Sequence, residues 1–132
     1  MSDMFCFQCQ QTAGNKGCVR TGVCGKQPAT AHLQDQLITQ LIRLAEAAER
    51  CGEHTPEASR LLIDGLFTTL TNVNFDDDAI RRFADRVTAE RDRLGGGETP
   101  VVDLWKGETD IVSLRSTLPV SYTHLTLPTK RI

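Results

Sequence analysis

The sequence predicts a mainly α-helical protein in which a cysteine- and glycine-rich N-terminal loop precedes an antiparallel three-helix bundle. Three observations carry that prediction. Four of the five cysteines fall within the first 24 residues, interleaved with glycines. Between residues 29 and 94, apolar positions recur every three or four residues in three blocks. Helix start and stop signals bound those blocks, and the connections between them are short, which makes helices that follow one another in sequence antiparallel neighbours.

The loop occupies residues 1–28. Cys6, Cys9, Cys18 and Cys24 alternate there with Gly14, Gly17, Gly22 and Gly25, and no period of 3.6 or 2 persists. Such a stretch reads as backbone wrapped around something. The helical body occupies residues 29–97. In its first helix Leu33, Leu37, Leu41, Ala45 and Ala48 form a stripe that Ile38, Ile42 and Leu44 widen. Arg50 supplies a base to the last turn, and Gly52 ends it. Thr55, Pro56 and Glu57 open the second helix as cap, first helical residue and dipole partner. Its apolar positions are Leu61, Leu62, Leu66, Phe67 and Leu70, and the run Asn72-Val73-Asn74-Phe75 breaks it. Asp76, Asp77 and Asp78 then load a third N-terminus with negative charge. Ile80, Phe83, Ala84, Val87 and Leu94 supply its stripe, and Gly95-Gly96-Gly97 stops it.

Residues 98–118 continue irregularly, with a short apolar run from Val101 to Trp105. Residues 119–132 read as non-native. The run Val120-Ser121-Tyr122-Thr123-His124-Leu125-Thr126-Leu127-Pro128 resembles a translated sequencing adapter, so the natural reading frame is expected to continue elsewhere.

Composition narrows the function classes. A chain of 132 residues suits one small domain that buries roughly two-thirds of its unfolded surface. Hydrophobic residues make up 39% and charged residues 24%, a globular mix and not a disordered one. A net charge of −2 points away from nucleic acid, and no apolar run approaches the roughly 18 residues of a membrane span. The stretch from Met1 to Cys6 has neither a basic nor an apolar leader region, so a cytoplasmic, reducing compartment is expected. Thiols there stay free or bind metal.

The cysteines are spaced Cys6-x2-Cys9-x8-Cys18-x5-Cys24. A Cys-x2-Cys pair sets two sulfurs on one face of a metal through a tight turn, and two more thiolates on a glycine-rich return complete a set of four. That set satisfies a [4Fe–4S] or [2Fe–2S] cluster or tetrahedral zinc. Zinc ribbons pair two short spacings, whereas the second spacing here is five. Glycines also let backbone N–H groups approach cluster sulfur, and Lys16, Arg20 and Lys26 offset cluster charge. Iron–sulfur is therefore favoured over zinc and over disulfides. Spacing alone leaves nuclearity open.

The run Met4-Phe5-Cys6-Phe7-Gln8-Cys9-Gln10-Gln11-Thr12-Ala13, with Gly17-Cys18 and Gly22-Val23-Cys24-Gly25-Lys26, resembles the N-terminus of the hybrid cluster protein (prismane) or hydroxylamine reductase family. Leu33-Gln34-Asp35 and Leu70-Thr71-Asn72-Val73-Asn74-Phe75-Asp76 extend the resemblance, which covers about residues 4–94. It implies that Cys6, Cys9, Cys18 and Cys24 ligate a [4Fe–4S] cluster, since the short gaps follow that branch of the family and not the [2Fe–2S] branch. It also implies an electron relay serving a second, hybrid iron–sulfur–oxygen cluster, where hydroxylamine is reduced to ammonia and water, with nitric oxide as another proposed substrate. The ligands of that second centre do not map onto this chain, so no catalytic residue is assigned. The partners implied are a redox electron donor and, through domains absent here, a small nitrogen-oxide substrate. The rival readings are a zinc-stabilised helical interaction module and a stand-alone ferredoxin-like electron carrier.

Other reactive residues have plainer expected roles. Cys51 reads as a small hydrophobe at a helix end, His32 as a surface or half-buried residue and His54 as a solvated loop residue. Asn72 and Asn74 read as partners for backbone groups at a turn. Phe5 and Phe7 flank Cys6 and either shield a cluster or pack on the bundle.

Overall fold

The computed structural model describes residues 3–9, 11–69 and 76–96. Three α-helices form the body: α1 (Pro28–Cys51), α2 (Pro56–Thr68) and α3 (Asp77–Arg93). A single 3-10 turn, Ala13–Asn15, lies in the loop before them. The described residues contain no strand, only one isolated antiparallel bridge between Cys6 and Cys18. None of the described helices is long and apolar enough to cross a membrane.

Helix boundaries follow local chemistry. Pro28 starts α1, where a missing N–H costs nothing, and Gly52 ends it in the left-handed region at φ 68°. Thr55 caps α2 by accepting the Ala58 N–H at 3.1 Å, with Pro56 as the first helical residue. Asp76 caps α3 by accepting the Ala79 N–H at 3.0 Å, so the run of aspartates is a helix start. The break expected at residues 72–75, Leu70, the continuation 98–118 and the tail 119–132 lie outside the described residues.

Cross-links between helices fix their directions. The start of α1 meets the start of α3 where the Thr30 hydroxyl donates to Asp77 Oδ1 at 2.6 Å. Farther along both helices, the Arg91 guanidinium donates to Gln40 at 3.1 Å. The start of α2 meets the end of α3 where the Thr55 hydroxyl donates to Glu90 at 3.2 Å. Helices α1 and α3 therefore run the same way, and α2 runs against both. Each helix is antiparallel to its sequence neighbour, as the short connections predicted.

The main core joins Leu37, Leu41 and Leu44 of α1 to Ala58 and Leu61 of α2 and to Ile80 and Val87 of α3, with Leu94 closing one end. Two helix-stripe expectations are corrected. Ala45 is exposed and Ala47 is buried in its place, because one step along a helix turns a side chain by about 100° while three steps from Leu44 return to the same face. Phe67 is 41% exposed, since the buried stripe of α2 runs through Ala58, Leu61 and Gly65. A Cβ at Gly65 would lie 2.6 Å from Leu41 Cδ2, so that glycine lets α1 and α2 approach closely. A second, smaller apolar cluster joins Met4 and Cys18 of the loop to Ala31 in the first turn of α1. This cluster seats the loop on the start of the bundle.

Candidate metal centre

The loop doubles back on itself so that Cys6 and Cys18 stand side by side. Their backbones exchange two hydrogen bonds, Cys6 N to Cys18 O at 3.0 Å and Cys18 N to Cys6 O at 2.9 Å. Between them the Thr12 hydroxyl donates to Cys6 O at 3.2 Å and lies 3.8 Å from Cys18 Sγ. Gly17 takes φ 110°, and the Phe5 ring occupies the place its Cβ would fill, at 2.5 Å. Glycine is required there on both counts.

Cys24 sits in a tight turn closed by Gly22 N–H to Lys26 O at 2.7 Å and Gly25 N–H to Gly22 O at 2.9 Å. Gly22 permits it, because a Cβ there would lie 3.1 Å from Cys24 Sγ and 2.9 Å from Lys26 Cβ. Cys9 is half-buried, and its carbonyl accepts the Thr12 N–H at 3.3 Å. All five cysteines are free. Cys51 is the last residue of α1 and is exposed; its thiol points back to Ala48 O at 3.5 Å.

The structure thus brings Cys6 and Cys18 together and sets Cys9 and Cys24 on adjoining turns. It does not gather a full ligand set: the described residues hold no group of three or more His, Cys, Asp or Glu side chains arranged to hold a metal ion. Convergence of thiolates and binding of metal are coupled, because the metal supplies the attraction that overcomes their mutual repulsion.

The surroundings of the two paired sulfurs shift them in opposite directions. Burial pushes the Cys6 thiol up, and the Lys26 ammonium and the Gln8 backbone amide oppose that shift in part. Burial pushes Cys18 up too, yet amides of Ala13 and Val23, the Thr12 hydroxyl and Lys26 outweigh it, and the net shift is downward. Backbone N–H donors and a nearby cation are what sulfur ligands of an anionic metal centre need. The donor set and its environment fit an iron–sulfur centre.

Lys26 is the residue whose placement the sequence understated. It is only 2% exposed, and its Nζ donates to Cys6 Sγ at 3.6 Å and to Gln8 Oε1 at 3.1 Å. Lys16 and Arg20, grouped with it by composition, are exposed. A recess between the loop and α1 is lined by Phe5, Cys6, Gln8, Lys26, Ala31, Gln34 and Asp35. The Leu33-Gln34-Asp35 motif therefore contributes two residues to the surroundings of the cysteine loop. Phe5 is half-buried in the same place, whereas Phe7 is 42% exposed and Val23 is 60% exposed. His32 is exposed with Nε2 2.8 Å from Asp3 O, and His54 is exposed beside Glu49; neither approaches the cysteines.

The model of the Prismane/CO dehydrogenase family matches residues 4–125, running past residue 119, where the tail was read as non-native. The chain belongs to this family. It is a family of iron–sulfur proteins. Curated relatives named hydroxylamine reductase match the chain, among them the following three. That of Methanocella arvoryzae is 47% identical over 94 residues, 69% of this chain and 17% of the relative. That of Desulfovibrio desulfuricans is 43% identical over 100 residues, 73% of this chain and 18% of the relative. That of Methanocaldococcus jannaschii is 37% identical over 126 residues, 89% of this chain and 23% of the relative. The chain therefore spans about a fifth of the length of these relatives.

Proposed function

We propose that Cys6, Cys9, Cys18 and Cys24 ligate a [4Fe–4S] cluster, and that this chain is the N-terminal, electron-relay part of a hydroxylamine reductase. One observation carries the reading. Backbone amides and the buried Lys26 ammonium turn toward the sulfurs of Cys6 and Cys18. Two neutral thiols are weak acceptors and have little use for such donors, whereas sulfur ligands of an anionic cluster do. The name shared by the relatives supports the reaction class.

The bound cluster supplies one-electron transfer, and the protein sets its potential and access. Phe5, Met4 and Ala31 keep water from the Cys6–Cys18 side. Gly17 and Gly22 let the backbone close in, and Thr12 ties the two arms of the loop together. Reduction of hydroxylamine to ammonia and water, or of nitric oxide, takes place at a hybrid cluster on other domains. An electron donor and the small nitrogen-oxide substrate are the partners. The cytoplasm supplies the reducing setting in which the five cysteines stay free.

Anaerobic reconstitution with metal analysis, absorption and EPR spectroscopy tests this reading. About four iron and four sulfide per chain are expected. Stoichiometric zinc without a visible chromophore would instead identify a zinc-stabilised interaction module. Cys9→Ser should destroy the cluster spectrum while the bundle keeps its helicity, and an unchanged spectrum rules Cys9 out as a ligand. Recovery of a longer reading frame with further Cys, Glu and His ligands separates a reductase from a stand-alone ferredoxin-like carrier.

A further inference from the structure

Lys26 is one of the most deeply buried side chains of the described protein, yet it carries a charge. Its ammonium donates to Gln8 Oε1, which is neutral, and to Cys6 Sγ. Among the described residues no Asp or Glu forms an ion pair with it. A buried cation is strongly disfavoured without anions nearby, so negative charge in its surroundings stabilises it. Asp35 lines the same recess, but the group that takes the ammonium's hydrogen bond is the Cys6 sulfur, and a metal-bound sulfur carries negative charge permanently.

The loop is built to keep the ammonium there. The turn from Gly22 to Lys26 folds the lysine stem over Gly22, leaving no room for a side chain at that glycine. Gln8, two residues after Cys6, accepts a second hydrogen bond from the ammonium at 3.1 Å. Pro28 starts α1 two residues beyond Lys26 and anchors the end of the turn.

We infer that Lys26 is a positioning residue for the iron–sulfur centre: a fixed positive charge, bonded to the Cys6 sulfur, that raises the centre's affinity for an electron. The inference rests on the reading of the four cysteines proposed above. Its physics is electrostatic. One electron from a one-electron donor adds one negative charge, no bond forms or breaks, and the ammonium keeps its proton. In a site shielded from water the attraction between that charge and the ammonium is poorly screened, and the N–H···S bond strengthens as sulfur gains electron density. The oxidised form gains less from both effects, so the reduced form is favoured.

The test uses the 132-residue chain reconstituted anaerobically with iron and sulfide, in wild-type, Lys26→Met and Lys26→Arg forms. Midpoint potentials come from dithionite titrations followed by absorption and EPR. Lys26→Met should bind as much iron and sulfide as the wild type but reduce at a distinctly lower potential, and Lys26→Arg should restore most of the shift. Equal midpoints for Lys26→Met and wild type, at equal cluster content, overturn the inference. If Lys26→Met cannot hold a cluster, wild-type protein labelled with 15N-lysine decides. Pulsed EPR of its reduced state should detect one coupled lysine nitrogen, and no coupling overturns the inference. A wild-type chain that takes up no iron and sulfide overturns the reading of the cysteines themselves, an outcome distinct from a cluster whose potential ignores Lys26.

Discussion

Replacing Gly22 with alanine places a methyl group where the loop has no room for it. A Cβ at that position falls 2.9 Å from Lys26 Cβ, 3.1 Å from Cys24 Sγ and 3.2 Å from Lys26 N. Carbon atoms pack at roughly 3.5–4.0 Å, so the lysine stem has to retreat by about 0.6 Å or more. Rotating a side chain does not relieve the contact, because Lys26 N is backbone and the Gly22 N–H is already bonded to Lys26 O at 2.7 Å. Gly22 is not among the residues with positive φ, so the penalty is steric and not conformational. Overpacking of this kind costs about 1–3 kcal/mol. Even about 1–2 kcal/mol shifts the ratio of closed to open loop by a factor of roughly 5–30. After anaerobic reconstitution the variant should hold less iron and sulfide, and its visible absorption should bleach at a lower temperature. The helical circular dichroism melt should stay where it is, since the main core lies elsewhere. Wild-type cluster content and thermal stability in Gly22→Ala would refute the steric reasoning.

Three further outcomes are expected. Leu44→Ala empties a fully buried site in the main core and should cost about 2–5 kcal/mol, read as a lowered urea midpoint by circular dichroism; a loss well under 1 kcal/mol would show that the core is not packed as described. The Arg93 guanidinium, bonded to both Glu90 oxygens at 2.7 and 2.9 Å, holds the Glu90 carboxyl below its ordinary value of 4.5 despite burial, with Thr55 assisting. Glu90 then contributes stability in full above pH 4.5 that is lost as the pH falls through its depressed folded value, so Glu90→Gln should flatten the acid limb of a plot of urea midpoint against pH, and an unchanged limb contradicts the assignment. Cys51→Ser, at an exposed helix end, should leave the reconstituted absorption spectrum unaltered; a bleached or shifted spectrum would make Cys51 part of the centre.

The helices were legible because their punctuation is local. Thr55 and Asp76 cap within three residues, and Gly52 supplies its own turn, so little tertiary information is needed. Faces were legible where large residues set them, as at Leu37, Leu41 and Leu44. They were misread where the residue was small: Ala45 and Ala47 differ only in which way the helix turns them. Glu90 was missed as a buried group because its acceptability depends on Arg93 and on Thr55, 35 residues away. The cysteine loop was conspicuous as a pattern, and chemistry alone nominated its four thiols. Lys26 was not separable from Lys16 and Arg20, since charge is visible in a sequence and burial of that charge is not. Its burial follows from a turn closed by Gly22 together with Gln8 across the loop and docking on α1, and the last two are non-local.

Helix α1 belongs to two apolar clusters that share no residue. Ala31 in its first turn serves the cysteine loop, and Leu37 onward serves the bundle. That division implies an order of maturation. The body assembles from its own leucines and alanines and offers the first turn of α1 as a finished bench. On the proposed reading of the cysteines, the loop would settle on that bench last, as metal binds its sulfurs. Oxidative loss of that metal would then reverse only the final step. What comes loose carries no residue of the main core, so a damaged centre is open to refilling while the bench still stands.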